Sequence, residues 1–352
     1  MADLKDFDAD SVGNANSGIF GLPFTEEEAK LILLPVPWEV TVSYKAGTAR
    51  ASERICKASL QVDLLDEITG NAWKKGIFMR QVEKNILTKS DYLRKEAELY
   101  INYITEGEEL CDNKFMQKVL HEINEGSDFL NEWVYEQTKE LLADEKLVGI
   151  IGGDHSSPFG YYKALAEKYG HFGILQIDAH CDLRCCYESL KYSHASIMYN
   201  TLEKIPEVSR LVQAGIRDYA RVESDYIKSH PDRVVTYFDK DIKERLYEGE
   251  TWKNIVDEII THLPEKVYIS FDIDGLDPKL CPNTGTPVPG GFETQQVYYL
   301  FKKIYQSERE IIGFDLNEVG VSTNDWDENV GARVLFNLCN LLIASNEKHA
   351  TV

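Results

Sequence analysis

The stretch from Leu147 to Asp178 constrains the fold more than any other part of the chain. An apolar, β-branched run, "LVGII", leads into "GGDHSSPFG", then a helix-favouring segment, then a second apolar run, "FGILQI", from Phe172. Ser157 reads as the helix N-cap, Pro158 as its first residue and Gly170 as the position just past its end. Strand, helix and strand at this spacing form a crossover unit, so the two strands are parallel and their carboxyl ends share one sheet edge. His155 and Asp178 are expected at that edge, where open α/β sheets bind ligands.

Four further runs of the same kind begin at Leu31 ("LILLPV"), Leu211 ("LVQAGI"), Val267 ("VYISF") and Ile311 ("IIGFDL"). Their near-continuous apolar character suits a mostly parallel central sheet covered on both faces, an α/β fold in three α/β/α layers. Between about 66 and 145 the composition shifts to charged, helix-favouring residues. There, "SDFLNEWVYEQTKELL" puts Leu130, Trp133, Val134 and Leu141 on one packing face. No repeat or linker divides the chain, so residues 1–352 are expected to form one domain with a charged helical insertion at about 66–145.

"ILQIDAHCDLR" poses a physical problem, because an apolar strand ends in Asp178, His180 and Asp182, spaced two apart. A strand's period of two aims all three the same way, which is costly unless a cation lies between them. A second cluster, Asp272 and Asp274, follows the Val267 strand in "SFDIDGLDPKLCPNTGTPVPGG". One such pair is weak ground, since caps and turns also use Asp. Convergence is stronger: three segments bring His155, Asp178, His180, Asp182, Asp272 and Asp274 to one sheet edge. Two imidazoles and four carboxylates exceed one tetrahedral zinc and suit two divalent ions with shared carboxylates. Oxygen-rich ligation favours Mn²⁺, with Ni²⁺, Co²⁺ and Fe²⁺ as competitors. Four carboxylates cancel the charge of two dications, and a hydroxide then leaves the cluster attractive to a cationic substrate.

The totals narrow the partners. A formal charge of −21 repels a nucleic-acid backbone. The start, "MADLKDFDAD", lacks an apolar leader, and no apolar run reaches membrane-spanning length, so a soluble protein without a membrane partner is expected. Seven cysteines, with Cys181, Cys185 and Cys186 crowded together and no paired C-x-x-C, argue against a secreted disulfide framework and fit a reducing cytoplasm, with a zinc site built on those three as the minor alternative.

"GGDH" at Gly152–His155, "DAHCD" at Asp178–Asp182, and the stretch from "SFDIDGLDP" to "TGTPVPGG" at Ser270–Gly291 together resemble the ureohydrolase superfamily of arginases, agmatinases and related amidinohydrolases. Weaker likenesses are "PVPWEVTVSYKAGT" from Pro35, "AGIRD" from Ala214 and "GFDLNEV" from Gly313. The resemblance implies an arginase-like α/β/α sandwich, homo-oligomers of three or six subunits and two Mn²⁺ per subunit. It assigns His155, Asp178, Asp182 and Asp272 to one ion and Asp178, His180, Asp272 and Asp274 to the other. The implied reaction hydrolyses a guanidinium carbon and releases urea, the metals making hydroxide available near neutral pH. His194, in "YSHAS", matches the family's proton-shuttling histidine, and Glu318 the glutamate that holds the guanidinium. Asp182 is counted with them as catalytic.

The substrate implied is agmatine, giving putrescine and urea, because "DLRCCYESLKYSHAS" resembles the loop of many prokaryotic agmatinases. Arg184 and Ala220 stand where arginases carry an Asn and an Asp for the α-amino acid head group, which speaks against arginine. Two departures could reshape the pocket mouth: the family's usual proline after Glu318 is missing, and the 66–145 segment is long. Arg184, facing the site, would favour an acidic tail, as in guanidinobutyrate or formiminoglutamate. An arginase, a guanidino-acid hydrolase and a formimidoylglutamase therefore stay open. So do an inactive metal-binding relative acting as a binding protein and a single-zinc deacetylase.

Overall fold

The computed structural model describes residues 4, 7–11, 13 and 17–350, so residues 1–3, 5 and 6 of the acidic N-terminal run lie outside the described residues. Eight strands are described: β1 (Leu31–Pro35), β2 (Ile77–Met79), β3 (Leu147–Ile151), β4 (Phe172–Ile177), β5 (Val208–Ile216), β6 (Val234–Phe238), β7 (Lys266–Asp272) and β8 (Glu310–Asn317). They form one sheet in the order β2-β1-β3-β8-β7-β4-β5-β6, with every pairing parallel. The six expected strands are all present. Both unanticipated strands, β2 and β6, sit at the sheet's edges: β2 has three residues and β6 is only half-buried along its length. Neither can carry the continuous apolar run that marks a strand buried on both faces.

The helices are α1 (Ala51–Ser59), α2 (Lys84–Thr105), α3 (Lys114–Ala143), α4 (Phe159–Tyr169), α5 (Ile197–Lys204), α6 (Arg221–Ser229), α7 (Asp239–Tyr247), α8 (Trp252–His262), α9 (Thr294–Gln306) and α10 (Trp326–Ala350). Packing links α2, α3, α4 and α5 in one layer and α1, α10, α9 and α8 in another, so helices cover the sheet on both sides. The central strands are buried throughout, and each Leu or Ile withdrawn from water there contributes about 1.5–3 kcal/mol. Among the described residues no helix is long and apolar enough to cross a membrane.

The crossover from β3 through α4 to β4 forms as read, with one shift. Pro158, not Ser157, occupies the cap position, because the Ser157 hydroxyl donates to the Asp154 carbonyl oxygen at 2.7 Å instead of accepting a helix N–H. Gly170 ends the helix at φ +68°, a conformation that disfavours a side chain.

The charged segment at about 66–145 supplies β2, α2 and α3. Asn113 caps α3 by accepting the N–H groups of Phe115 and Met116, a bond pair of the kind that contributes about 0.5–2 kcal/mol. Leu130, Val134 and Leu141 are buried on one face of α3, with Trp133 partly buried beside the core.

Candidate metal centre and active-site cavity

The four central strands, β3, β8, β7 and β4 in spatial order, carry the polar side chains expected from the sequence. His155 follows β3, Asp178 is the residue after β4, Asp272 ends β7 and Glu318 is the residue after β8. The strand period does not aim the first cluster, however. β4 stops at Ile177, His180 makes only an isolated bridge to Asp218, and Asp182 is left-handed at φ +54°. Asp178, His180 and Asp182 converge through a loop, and Asp274 lies in a 3-10 turn just after β7. Left-handed backbone at a non-glycine residue costs of the order of 1–3 kcal/mol, and Glu318 has it too, at φ +58°.

His155 is 1% exposed. Its Nδ1 lies 3.0 Å from Asp178 Oδ2, 3.1 Å from Asp182 Oδ2 and 3.3 Å from Asp272 Oδ2, yet it has no hydrogen-bond partner among the described residues. In a neighbouring group, His180 Nδ1 lies 3.0 Å from Asp274 Oδ2 and 3.6 Å from Asp178 Oδ1. Asp274 Oδ2 is likewise buried and without a hydrogen-bond partner among the described residues. Asp178 turns one oxygen to each group. Asp272 touches the His155 group through Oδ2, while its Oδ1 accepts the Asp274 N–H at 2.9 Å.

These distances test whether a metal pair fits. Nitrogen and oxygen ligands at about 2.1 Å from a cation stand about 3.0 Å apart on an octahedron and about 3.4 Å apart on a tetrahedron. The 3.0–3.3 Å separations around His155 Nδ1 span the octahedral edge and stay below the tetrahedral one. Buried nitrogens and oxygens facing one another without hydrogen bonds are the arrangement a cation would satisfy. His155–Asp178–Asp182 and Asp178–His180–Asp274 are both groups able to hold an ion.

Protonation in the metal-free state follows from the crowding. Burial opposes charge on His155 and His180, but the adjacent carboxylates outweigh it and raise both pKa values well above the ordinary imidazole value. Burial and neighbouring carboxylates also raise Asp182 and Asp272. Asp178 goes the other way: burial resists its ionisation, and the two histidines overcome that and hold it low. The metal-free fold thus binds more protons than the unfolded chain near neutrality. Its stability should fall as pH rises, from the ordinary carboxylate range up through the raised histidine values. Divalent ions must displace these protons, so apparent metal affinity should rise with pH and binding at pH 7 should release protons. Calorimetric titration in buffers of different ionisation enthalpy measures the release; zero release would contradict this picture.

His155 is oriented from behind. Its Nε2 lies 2.8 Å from Ser270 Oγ, which donates to Asp315 Oδ1 at 3.1 Å, and the Tyr162 hydroxyl donates to Asp315 Oδ2 at 3.2 Å. A proton on Nε2, donated to Ser270, leaves Nδ1 free for a cation. Ser270→Ala should therefore weaken metal affinity by about 10- to 100-fold with little change in secondary structure. Titration with a metal-buffered indicator checks this, and unchanged affinity would contradict it. Neither Ser270 nor Asp315 was anticipated as functional; the only signal was a polar residue inside each apolar strand run.

A cavity of about 500 Å³ opens onto His155, His180, Asp182 and Asp272. Its walls come from Ser43–Lys45, from Arg184, Tyr187 and His194, and from Asp218, Tyr219 and Glu223. The segment at 66–145 braces two of these walls. The Arg94 guanidinium donates to the Val42 carbonyl, Ser90 Oγ accepts the Glu39 N–H at 3.1 Å, and Asn124 Oδ1 accepts the Lys191 N–H at 2.8 Å.

His194 is 9% exposed, with Nδ1 3.4 Å from Glu318 Oε1 and Nε2 3.4 Å from Ser43 Oγ. Burial lowers its pKa, and the Glu318 carboxylate more than compensates, leaving it above the ordinary value. Glu318 is buried just behind the cavity wall. Its Oε1 accepts the His155 N–H at 2.9 Å, while a Cβ at Gly285 would stand 3.1 Å from Oε2, so the absence of that atom keeps space open beside the carboxylate. Arg184 lines the cavity and also pairs with the buried Glu223, at 3.7 Å. Glu223, in the first turn of α6, and the loop residues Ser43 and Lys45 were not singled out beforehand, because nothing local marks such residues as a wall.

Residues 29–340 match the arginase family. An N(1)-aminopropylagmatine ureohydrolase of Thermus thermophilus is 31% identical over 317 residues, covering 90% of this chain and 91% of the relative. An agmatinase of Bacillus cereus is 27% identical over 83% of this chain and 84% of its own. Among solved structures, the agmatine ureohydrolase of Thermoplasma volcanium superposes with a TM-score of 0.67 at 22% identity, covering 93% of each chain, a likeness of fold. The match over nearly the whole length, on an all-parallel sheet with the motif residues gathered at one edge, places the chain in the arginase family.

Proposed function

We propose that the protein hydrolyses the guanidino group of a cationic, carboxylate-free guanidinoalkylamine, agmatine or its N1-aminopropyl derivative, releasing urea and the corresponding amine. The observation that carries this reading is the pair of His/Asp groups sharing Asp178 at the floor of the cavity. Relatives named for agmatine and aminopropylagmatine support the substrate class. We assign His155, Asp178, Asp182 and Asp272 to one ion and Asp178, His180, Asp272 and Asp274 to the other, with manganese favoured by the oxygen-rich set. When bound, a pair of divalent ions supplies hydroxide near neutral pH.

The chain's own residues supply the rest. Glu318 offers a carboxylate to the planar guanidinium, whose paired N–H donors match it. His194, kept protonated by Glu318, delivers a proton to the departing amine nitrogen. The wall carboxylates Asp218 and Glu223 favour an amine tail, and the tyrosines at 44, 187 and 219 offer faces to its methylenes and charges. The reading takes in one catalytic domain, a cytoplasmic setting and assembly as a homo-oligomer.

Lys45 and Arg184, which line the same cavity, favour a second reading, an acid-tailed guanidino compound. Urea release from agmatine, N1-aminopropylagmatine, arginine and guanidinobutyrate, and formamide release from formiminoglutamate, separate the two. The amine-tailed pair should exceed the others in kcat/KM by at least about tenfold, roughly 1.4 kcal/mol. Preference for an acid-tailed compound would overturn the substrate class, and no turnover of any would overturn the reaction.

A further inference from the structure

Cys185 and Cys186 are free, exposed thiols between Arg184 and Tyr187, both of which line the cavity. Their Sγ atoms are 3.9 Å apart. The loop is tied down on one side, where the Arg184 N–H donates to the Ala195 carbonyl at 3.2 Å, and closes a turn on the other, where the Leu190 N–H donates to the Tyr187 carbonyl at 2.8 Å. The residues flanking the pair touch each other, the Arg184 guanidinium lying 4.7 Å from the Tyr187 ring centroid. The catalytic reading gives this dithiol no task.

Two chemistries could join the sulfurs, and distance separates them. A disulfide needs a separation of about 2.05 Å and Cα atoms about 4.4–6.8 Å apart, whereas adjacent residues on a trans peptide hold them at about 3.8 Å. Oxidation would therefore draw the sulfurs nearly 2 Å closer, into a strained ring, in a loop tied down at Arg184. Chelation asks for little movement. Two thiolates at about 2.3 Å from a tetrahedral centre stand about 3.8 Å apart, close to the separation present.

We propose that Cys185 and Cys186 form a chelating site for a soft, thiophilic ion, one of the zinc, cadmium or trivalent-arsenic class, whose occupancy restricts the cavity mouth. Soft sulfur ligands and the hard, oxygen-rich cluster at the cavity floor select different metals, so the two sites fill independently. Bridging the sulfurs fixes the backbone between Arg184 and Tyr187 and holds both side chains over the entrance. The effect on turnover rests on the proposed urea-releasing reaction; the binding itself does not.

Phenylarsine oxide is a suitable probe, because arsenic takes two sulfurs and spares carboxylates. The two thiol protons leave with the arsenic-bound oxygen as water, two As–S bonds replace the bonds to oxygen, and no atom changes oxidation state. Intact mass spectrometry of the metal-loaded protein should find one adduct per chain, stable to monothiol and removed by dithiol. Cys185→Ser and Cys186→Ser should each abolish it while keeping unmodified urea release, and the wild-type adduct should lower that release several-fold until dithiol restores it. No adduct, or one that persists in Cys185→Ser, would overturn the site; an adduct without effect on turnover would overturn its link to the cavity. If the unmodified protein releases no urea from any guanidino compound, the proposed reaction fails, and the adduct count still decides the site.

Discussion

Asp178→Asn should remove bound metal and urea release together, leaving less than about one-thousandth of wild-type turnover, a loss of at least about 4 kcal/mol of transition-state stabilisation. Asp178 belongs to both His/Asp groups, with Oδ2 3.0 Å from His155 Nδ1 and Oδ1 3.6 Å from His180 Nδ1. Asparagine preserves the shape but removes a charge and replaces one ligand oxygen with an NH₂ that cannot coordinate. Because this position serves both ions, a single substitution should empty both. Metal analysis and urea assay on the same preparation, with circular dichroism to verify the fold, check it. Two ions retained, or turnover near wild type, would contradict the shared role.

Glu318→Gln should give the opposite split: metal retained, catalysis lost. Glu318 is not among the proposed ligands, yet its carboxylate meets His194 and the His155 N–H beside the space left by Gly285. The amide keeps the His155 contact but turns a donor toward the guanidinium's donors and takes away the charge facing His194. Two charge-assisted hydrogen bonds of about 1.5–3 kcal/mol each are then weakened or lost, so kcat/KM should fall by about 10²- to 10⁴-fold with ion content unchanged. The pH profile should change as well. Glu318 holds the His194 pKa up, so without it the histidine's charged form should be lost at lower pH and the activity limb it controls should move toward acid. Unchanged kcat/KM, or loss of metal, would remove Glu318 from its proposed role.

What the residues revealed in advance followed from burial. An apolar strand ending in carboxylates signals a charge problem that a cation would relieve, and that signal picked out His155, Asp178, His180, Asp182, Asp272 and Asp274 as candidates with no knowledge of the turns that join them. The way they meet was not legible. A strand period was expected to aim Asp178, His180 and Asp182, whereas β4 ends first and a left-handed Asp182 brings its carboxylate to His155. Backbone of that kind is set by tertiary contacts, here the Asp182 carbonyl accepting the N–H groups of Met198 and Tyr199.

The cavity walls were harder still to anticipate, because they are assembled over long sequence separations. Arg94 on α2 reaches the Val42 carbonyl and Asn124 on α3 reaches Lys191, so the charged helical segment, expected from its length to bear on the pocket mouth, braces the entrance through contacts that no local pattern announces. Edge strands β2 and β6 escaped notice for a different reason: they bury too little to leave an apolar run.

Anomalous diffraction from crystals of the manganese-loaded protein, recorded on either side of the metal's absorption edge, tests the metal pair most directly. Two peaks are predicted, one among His155, Asp178 and Asp182 and the other among Asp178, His180 and Asp274. A single peak, or peaks away from Asp178, would contradict the account.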